Sequence, residues 1–324
     1  MNRRQRSQLG MAATRTATRL AASSPVDVLA LTRNPLVAAT LEGGIRYEAD
    51  VRALQACAPG GRGVDKQINV HDGGAGPAIV LVQGWTASGL VWPAAMVAEL
   101  ERTHRVVRVD NRGSGWSRRA PRPYTISGLA RDVRDAIDRL DLGRPIVAGL
   151  SMGGMITQEL ALRWPDRVGR IVLMGTKPPS PQDVPPPLAL TARLLASPPP
   201  GVPLRTFLRD MWAEYAAPGF AESQPDMIEE MADSIAQRPT PRFAVLDQAR
   251  AVGAWHGSGR LTGMTVPTTV VHGTEDPLIP VANGMRISRL VPGARYIELE
   301  GVGHLVPYEA PTRTAAIIRG DDGF

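Results

Sequence analysis

With 324 residues, 43% of them hydrophobic and 21% charged, the chain is long enough for one large domain with an insertion or for two modest ones, and its composition lies near the globular average. The formal net charge of +6 is gathered at one end, because Arg3, Arg4, Arg6, Arg15 and Arg19 all precede the first acid, Asp27; the nearly neutral remainder argues against a nucleic-acid partner. Cys57 is the only cysteine, which excludes an intramolecular disulfide and a cysteine-rich zinc site, and no apolar run is long enough for a membrane span.

Residues 1–24 are rich in Arg, Ala, Ser and Thr and lack the apolar stretch of a secretory signal. They read as a basic tail, either disordered or produced by a start assigned upstream of Met11. Without an export signal a cytoplasmic location is expected. Residues 25–63 hold short apolar pieces at helical spacing (Val28, Leu29, Leu31; Leu36, Val37; Val51, Leu54), broken by Asn34-Pro35 and Gly43-Gly44. They read as a helical preamble and linker, with a surface available for self-association into a homo-oligomer. Lysine is confined to Lys66 and Lys177, and this arginine-, alanine-, glycine- and proline-rich usage resembles that of a GC-rich bacterial genome.

From Val64 onward the strand candidates are Gln67–Val70, Ala78–Val82, Arg105–Val109, Pro145–Ala148, Val168–Met174, Thr268–His272 and Arg295–Leu299. Most are short and dominated by Val, Ile and Leu, as strands buried on both faces of a parallel sheet should be. Amphipathic stretches at Ile126–Leu140 and Gly154–Trp164 fall between them. The alternation predicts an α/β architecture with a mostly parallel, doubly wound sheet, built from residues 64–176 and 264–324. It breaks off over residues 177–263, a proline-rich stretch with apolar helical pieces at Arg205–Tyr215 and Met227–Ile235, expected to form a helical cap inserted between core strands.

The strand candidate Pro145–Ala148 runs into Gly149-Leu150-Ser151-Met152-Gly153-Gly154 and then a helix. This is G-x-S-x-G in a strand-turn-helix setting, where the turn exposes the serine and glycines avoid collisions with neighbouring backbone. The pentapeptide alone is weak evidence, and four further segments strengthen it. Val82-Gln83-Gly84-Trp85 follows a strand; Asp110-Asn111-Arg112-Gly113-Ser114-Gly115-Trp116-Ser117 forms a turn; His272-Gly273-Thr274-Glu275-Asp276 and Gly301-Val302-Gly303-His304 follow the last two strands. In this order they resemble the α/β-hydrolase fold family over roughly residues 64 to 319, in its serine-nucleophile esterase, lactonase and cofactor-free haloperoxidase-like branch.

The resemblance implies a Ser151, Asp276 and His304 triad, with Glu275 as the reserve choice for the acid. It implies oxyanion donors at the Trp85 and Met152 amides and a structural role for Arg112. His71, His104, His256 and His272 are expected to be surface or structural histidines. Gln83 stands where the family usually has histidine; it either braces the oxyanion loop or aims its carboxamide at the substrate. Trp85, Trp92, Phe207, Met211, Trp212 and Tyr215 are candidates for the pocket or for the core. The expected activity is hydrolysis of a small-molecule carboxylic ester or lactone through an acyl-enzyme, with no metal or organic cofactor. A perhydrolase using the same triad and hydrogen peroxide is the alternative, and a non-catalytic ligand-binding protein on the same fold is the third reading.

Overall fold

A computed structural model describes residues 68–117, 122–257 and 259–321. The expectations for residues 1–63, Cys57 among them, lie outside the described residues.

In chain order the elements are β1 (Val70–Gly73), β2 (Ala78–Val82), α1 (Ala94–Glu101), β3 (Arg105–Val109), α2 (Ile126–Arg139), β4 (Ile146–Leu150), α3 (Met152–Arg163) and β5 (Arg170–Met174). Then come α4 (Leu188–Leu194), α5 (Leu204–Ala213), α6 (Phe220–Ser223), α7 (Pro225–Gln237) and α8 (Arg242–Gly253), followed by β6 (Thr268–Gly273), α9 (Ala282–Leu290), β7 (Arg295–Leu299), α10 (Val306–Glu309) and α11 (Pro311–Arg319).

The seven strands form one sheet in the order β1-β3-β2-β4-β5-β6-β7, antiparallel only where β1 meets β3. Side chains alternate across it with the strand period of two. Val80 and Val82 pack on one face with Leu129 and Val133 of α2 and Ile156 and Leu160 of α3. Ile79 and Leu81 pack on the other with Met96 and Leu100 of α1 and Ile317 and Ile318 of α11. Both faces are covered, which is why β2, β4 and β5 read as unbroken apolar runs. The order reverses at β2, which has β3 on one side and β4 on the other, and open α/β sheets place ligands beyond the strand ends at such a reversal.

Helices α4 to α8 all lie between β5 and β6 in the chain. Phe207, Trp212, Ile228 and Met231 from them form a separate apolar cluster with Ala87, Leu278 and Leu305 from core loops and Tyr308 of α10, so these helices dock on the segments that follow the strands.

Several boundaries differ from the sequence expectation. The first strand occupies Val70–Gly73 instead of Gln67–Val70, because it is a half-exposed edge strand carrying His71 and Asp72 and no apolar run announces it. The fourth continues to Leu150, and α3 starts at Met152 instead of Gly154, so strand and helix meet at the single residue Ser151. The fifth starts at Arg170 because Val168 ends a short helical turn over Pro165–Arg167. Helices α4 and α8 carried no sequence signal; each starts directly after a proline, Pro187 or Pro241. Among the described residues no helix is long and apolar enough to cross a membrane.

Candidate active site

Ser151 adopts φ 55° and ψ −119°, a positive-φ conformation rare for a side-chain-bearing residue. Its surroundings hold it there. The Ser151 amide donates to the Met174 carbonyl at 2.9 Å, and its own carbonyl accepts from Thr176 Oγ1 at 2.7 Å and from the Gly154 amide at 2.9 Å. A Cβ at Gly149 would strike the Gly153 carbonyl, and one at Gly153 would strike the Val82 carbonyl. The turn therefore packs backbone against backbone, and the glycines flanking Ser151 are dictated by space. Met152 is the first residue of α3, where an amide has no partner within the helix and the helix dipole is positive.

His304 lies in the loop between β7 and α10, buried, with Nδ1 2.8 Å from Asp276 Oδ2. Asp276 Oδ1 accepts from the Leu278 and Ile279 amides at 2.9 and 2.8 Å. Burial pushes the Asp276 carboxyl up, but the charge of His304 and hydrogen bonds from His272 and His304 outweigh it and bring the group down to about 2. Glu275, the reserve acid, is exposed. A Cβ at Gly175, just after β5, would lie 3.4 Å from both Asp276 Oδ2 and His304 Nδ1, so the strand end backs directly onto this pair.

Gln83 braces its own loop. Its Nε2 donates to the Val91 carbonyl, its Oε1 accepts from the Gly84 amide at 2.8 Å, and its main-chain carbonyl accepts from Asn111 Nδ2 at 2.7 Å. Both ends of the carboxamide are thus engaged within the protein, although the residue borders the same cavity as Ser151. The Asp110 turn is structural as expected: Asp110 accepts from the Gly89 and Trp116 amides at 2.8 and 2.9 Å, and Arg112 grips Asp132 with two nitrogens at 2.8 and 2.5 Å. Trp85 donates its indole N–H to the Val245 carbonyl of α8 at 3.0 Å, tying the loop after β2 to the inserted helices.

Ser151, His304, Met152 and Trp85 all border one cavity of about 150 Å³, closed on the other side by Trp212, Met231 and Val252 from the inserted helices. Two of the residues left open between pocket and core do not border it. Trp92 is 1% exposed and packs with Met96 and Leu100 under the sheet. Met211 lines a smaller neighbouring cavity with Phe207 and Leu208, because adjacent positions on α5 project about 100° apart and only Trp212 reaches the first cavity. Phe207 and Tyr215 pack in the apolar cluster beneath the inserted helices, and the Tyr215 carbonyl accepts from the His304 amide at 2.9 Å.

Of the other histidines, His71 pairs with Asp110 at 3.1 Å, His104 contacts Thr103, and His256 is exposed. His272 is buried, with Nε2 2.9 Å from the Ile279 carbonyl and 3.4 Å from Asp276 Oδ2. His272 and Asp276 open and close one quoted segment, but its letters do not show that the ring turns toward the carboxylate, and no motif announces the role of Glu309, whose carboxylate accepts from the Gly303, Leu305 and Ala217 amides. None announces the Lys177, Ser180 and Asp183 group at the cavity wall either. Among the described residues no three His, Cys, Asp or Glu side chains are grouped to hold a metal ion.

A family model described as the alpha/beta hydrolase fold matches residues 77–311. The 2-hydroxy-6-oxo-2,4-heptadienoate hydrolase of Pseudomonas putida is 29% identical over 265 residues, covering 75% of this chain and 88% of the relative. The 3-oxoadipate enol-lactonase 2 of Acinetobacter baylyi is 26% identical over 209 residues, covering 64% of this chain and 74% of the relative. Among solved structures, the enol-lactonase from Burkholderia xenovorans superposes with a TM-score of 0.67 at 26% identity, over 78% of this chain and 95% of that one.

Proposed function

The chain belongs to the alpha/beta hydrolase fold family, and from that premise we propose that it cleaves a carboxylic ester or lactone through an acyl-enzyme formed on Ser151. The observation that carries this reading is a strained serine at the strand-helix junction sharing a cavity with a histidine whose other ring nitrogen is held by a buried carboxylate. With Nδ1 engaged by Asp276, the proton on that nitrogen is fixed and Nε2 is the ring atom left to act as base.

In the proposed reaction His304 Nε2 takes the Ser151 hydroxyl proton as Oγ attacks the carbonyl carbon. The amides of Met152 and Trp85 stabilise the oxyanion, and His304 then protonates the departing alkoxide. Water, deprotonated by the same imidazole, releases the acid and restores Ser151. Asp276 stays ionised throughout, since its carboxyl is held at about 2. In a lactone the leaving alkoxide remains tethered to the acyl group. The predominantly apolar cavity wall, with Leu150, Met155, Trp212 and Leu278, suits an acyl or alcohol part with little charge. The enol-lactonase relatives support a lactone or ester as the reacting group.

The test uses purified protein, short p-nitrophenyl esters and a fluorophosphonate probe. The parent protein should hydrolyse the esters and take up the probe. Ser151→Ala should lose about six orders of magnitude in turnover, by analogy with serine-protease triads, and take up no probe. A variant as active as the parent would overturn the assignment.

A further inference from the structure

Lys177 is one of the most deeply buried charged side chains in the molecule, with 5% of its surface exposed, and it borders the same cavity as Ser151 and His304. Its Nζ lies 2.6 Å from Asp183 Oδ2 and 3.5 Å from Ser180 Oγ; the Ser180 hydroxyl in turn donates to Asp183 Oδ1 at 2.8 Å. All three residues line the cavity, and they form a polar patch in an otherwise mainly apolar wall.

The patch is built into the fold. The Lys177 carbonyl accepts from Gln158 Nε2 of α3 at 3.0 Å, Ser180 bonds to the backbone of Trp255 and Gly257, and Val184, next to Asp183, exchanges two hydrogen bonds with Asn283 at 2.7 and 2.9 Å. Burial pushes the Asp183 carboxyl up, but the hydrogen bond and charge of Lys177 outweigh it and hold the group below its ordinary value. Asp183 is therefore ionised where it meets Lys177 Nζ.

An ammonium has three N–H donors. Asp183 and Ser180 accept two of them, and the third has no acceptor among the described residues. An alkyl group filling the cavity would leave that donor dry and unpaired. A carboxylate would meet it, but would also bring a second negative charge beside Asp183 against a single buried cation. A neutral oxygen avoids both costs.

We propose that Lys177 selects substrates carrying an uncharged oxygen acceptor, a ketone or an ether or ring oxygen, at a distance from the scissile carbonyl. This inference rests on the proposed reading of the cavity as the acyl- or alcohol-binding site. Lys177 is then a specificity residue, and the Asp183 and Ser180 contacts hold its ammonium in place.

The experiment compares p-nitrophenyl esters of one chain length: alkyl, oxo-substituted at each successive carbon, and ending in a carboxylate. At one or more positions the oxo ester should exceed the alkyl ester by about tenfold or more in kcat/KM, and the carboxylate ester should fall below it. Because Lys177→Met alone leaves Asp183 without its counter-charge, the Lys177→Met/Asp183→Asn double variant is measured beside it. In the double variant the oxo-to-alkyl ratio should drop to about one whatever the absolute turnover, an outcome that a purely structural ion pair would not produce. The same esters are titrated against Ser151→Ala, following tryptophan fluorescence, since Trp85 and Trp212 border the cavity. An oxo preference in binding without any turnover in the parent protein would sink the hydrolase reading and leave Lys177 standing. Turnover with equal ratios at every position, a preference unchanged in the double variant, a preferred carboxylate ester, or no binding of any ester would overturn the role of Lys177.

Discussion

His272 Nε2 lies 3.4 Å from Asp276 Oδ2, the same oxygen that His304 Nδ1 meets at 2.8 Å. Its shorter contact, 2.9 Å, is to the Ile279 carbonyl, so its N–H is directed mainly at that carbonyl and secondarily at the carboxylate. His272 thus fixes the loop whose Leu278 and Ile279 amides also hold Asp276. It is a positioning residue. His272→Leu removes the donor, leaves a buried carbonyl unpaired and should reduce stability by about 1–3 kcal/mol. The kcat for a p-nitrophenyl ester should fall about tenfold with little change in KM, because the defect lies behind His304 and away from the substrate. Steady-state kinetics and urea unfolding check both, and an unchanged kcat would separate His272 from the reaction.

The lowered pKa of Asp276 has a defined effect on stability. A carboxyl held below its ordinary value stabilises the fold above that value and loses the contribution as the pH falls through the lowered one. For Asp276 the window runs from 3.8 down to about 2. The unfolding free energies of the parent and of Asp276→Asn should therefore differ most near neutral pH and converge as the pH drops through that window, as urea titrations at several pH values would read. In catalysis the carboxamide introduced by Asp276→Asn would present the wrong partner to His304 Nδ1, and kcat should fall by about four orders of magnitude, as in serine-protease triads. A difference in stability that grew on acidification would contradict the sign.

The serine turn and the acid and histidine loops could be found from the sequence because each is short, local and bound to glycine positions that the backbone requires. Gly149 and Gly153 have no room for a Cβ, and a pattern enforced by collision is visible in the letters. The sequence leaves Trp92 and Met211 open between pocket and core because a large apolar residue has the same signature under a sheet as at a cavity wall. Only packing decides between them, as the adjacent Met211 and Trp212 illustrate. The edge strand Val70–Gly73 escaped because antiparallel pairing with β3 holds it without an apolar run. Nothing in the letters sets Lys177 and Asp183 apart from other charges in a proline-rich stretch; their burial follows from how that stretch is pinned to α3, Trp255 and Asn283.

Gln83 tests whether the proposed oxyanion loop depends on its side-chain brace. Gln83→Leu leaves the Gly84 amide without its acceptor and the Val91 carbonyl without its donor, both in a buried setting. The cost should be about 1–3 kcal/mol for each group left unpaired. The next residue but one is Trp85, whose amide is the proposed oxyanion donor, so kcat should fall about 10- to 100-fold. Gln83→His, which restores a side chain with both a donor and an acceptor, should recover part of the loss. If Gln83→Leu lowered stability while kcat held, the brace would serve the fold and not the oxyanion.

Glu309 holds the histidine loop from beneath. Its Oε2 accepts from the Gly303 amide at 2.7 Å and the Ala217 amide at 2.9 Å, while its Oε1 accepts from the Leu305 amide at 2.9 Å, so the backbone on each side of His304 is anchored to one carboxylate. Burial raises its carboxyl pKa and the three backbone hydrogen bonds oppose this without cancelling it. Glu309→Gln keeps the shape but turns an NH2 group toward at least one amide donor, whichever way the carboxamide faces. That repulsion should loosen the loop, lower kcat by about tenfold or more and slow fluorophosphonate labelling of Ser151 by a similar factor. KM for a small ester should change little, because Glu309 does not border the cavity. Loss confined to KM would place its effect on the inserted helices through Ala217 instead of on His304.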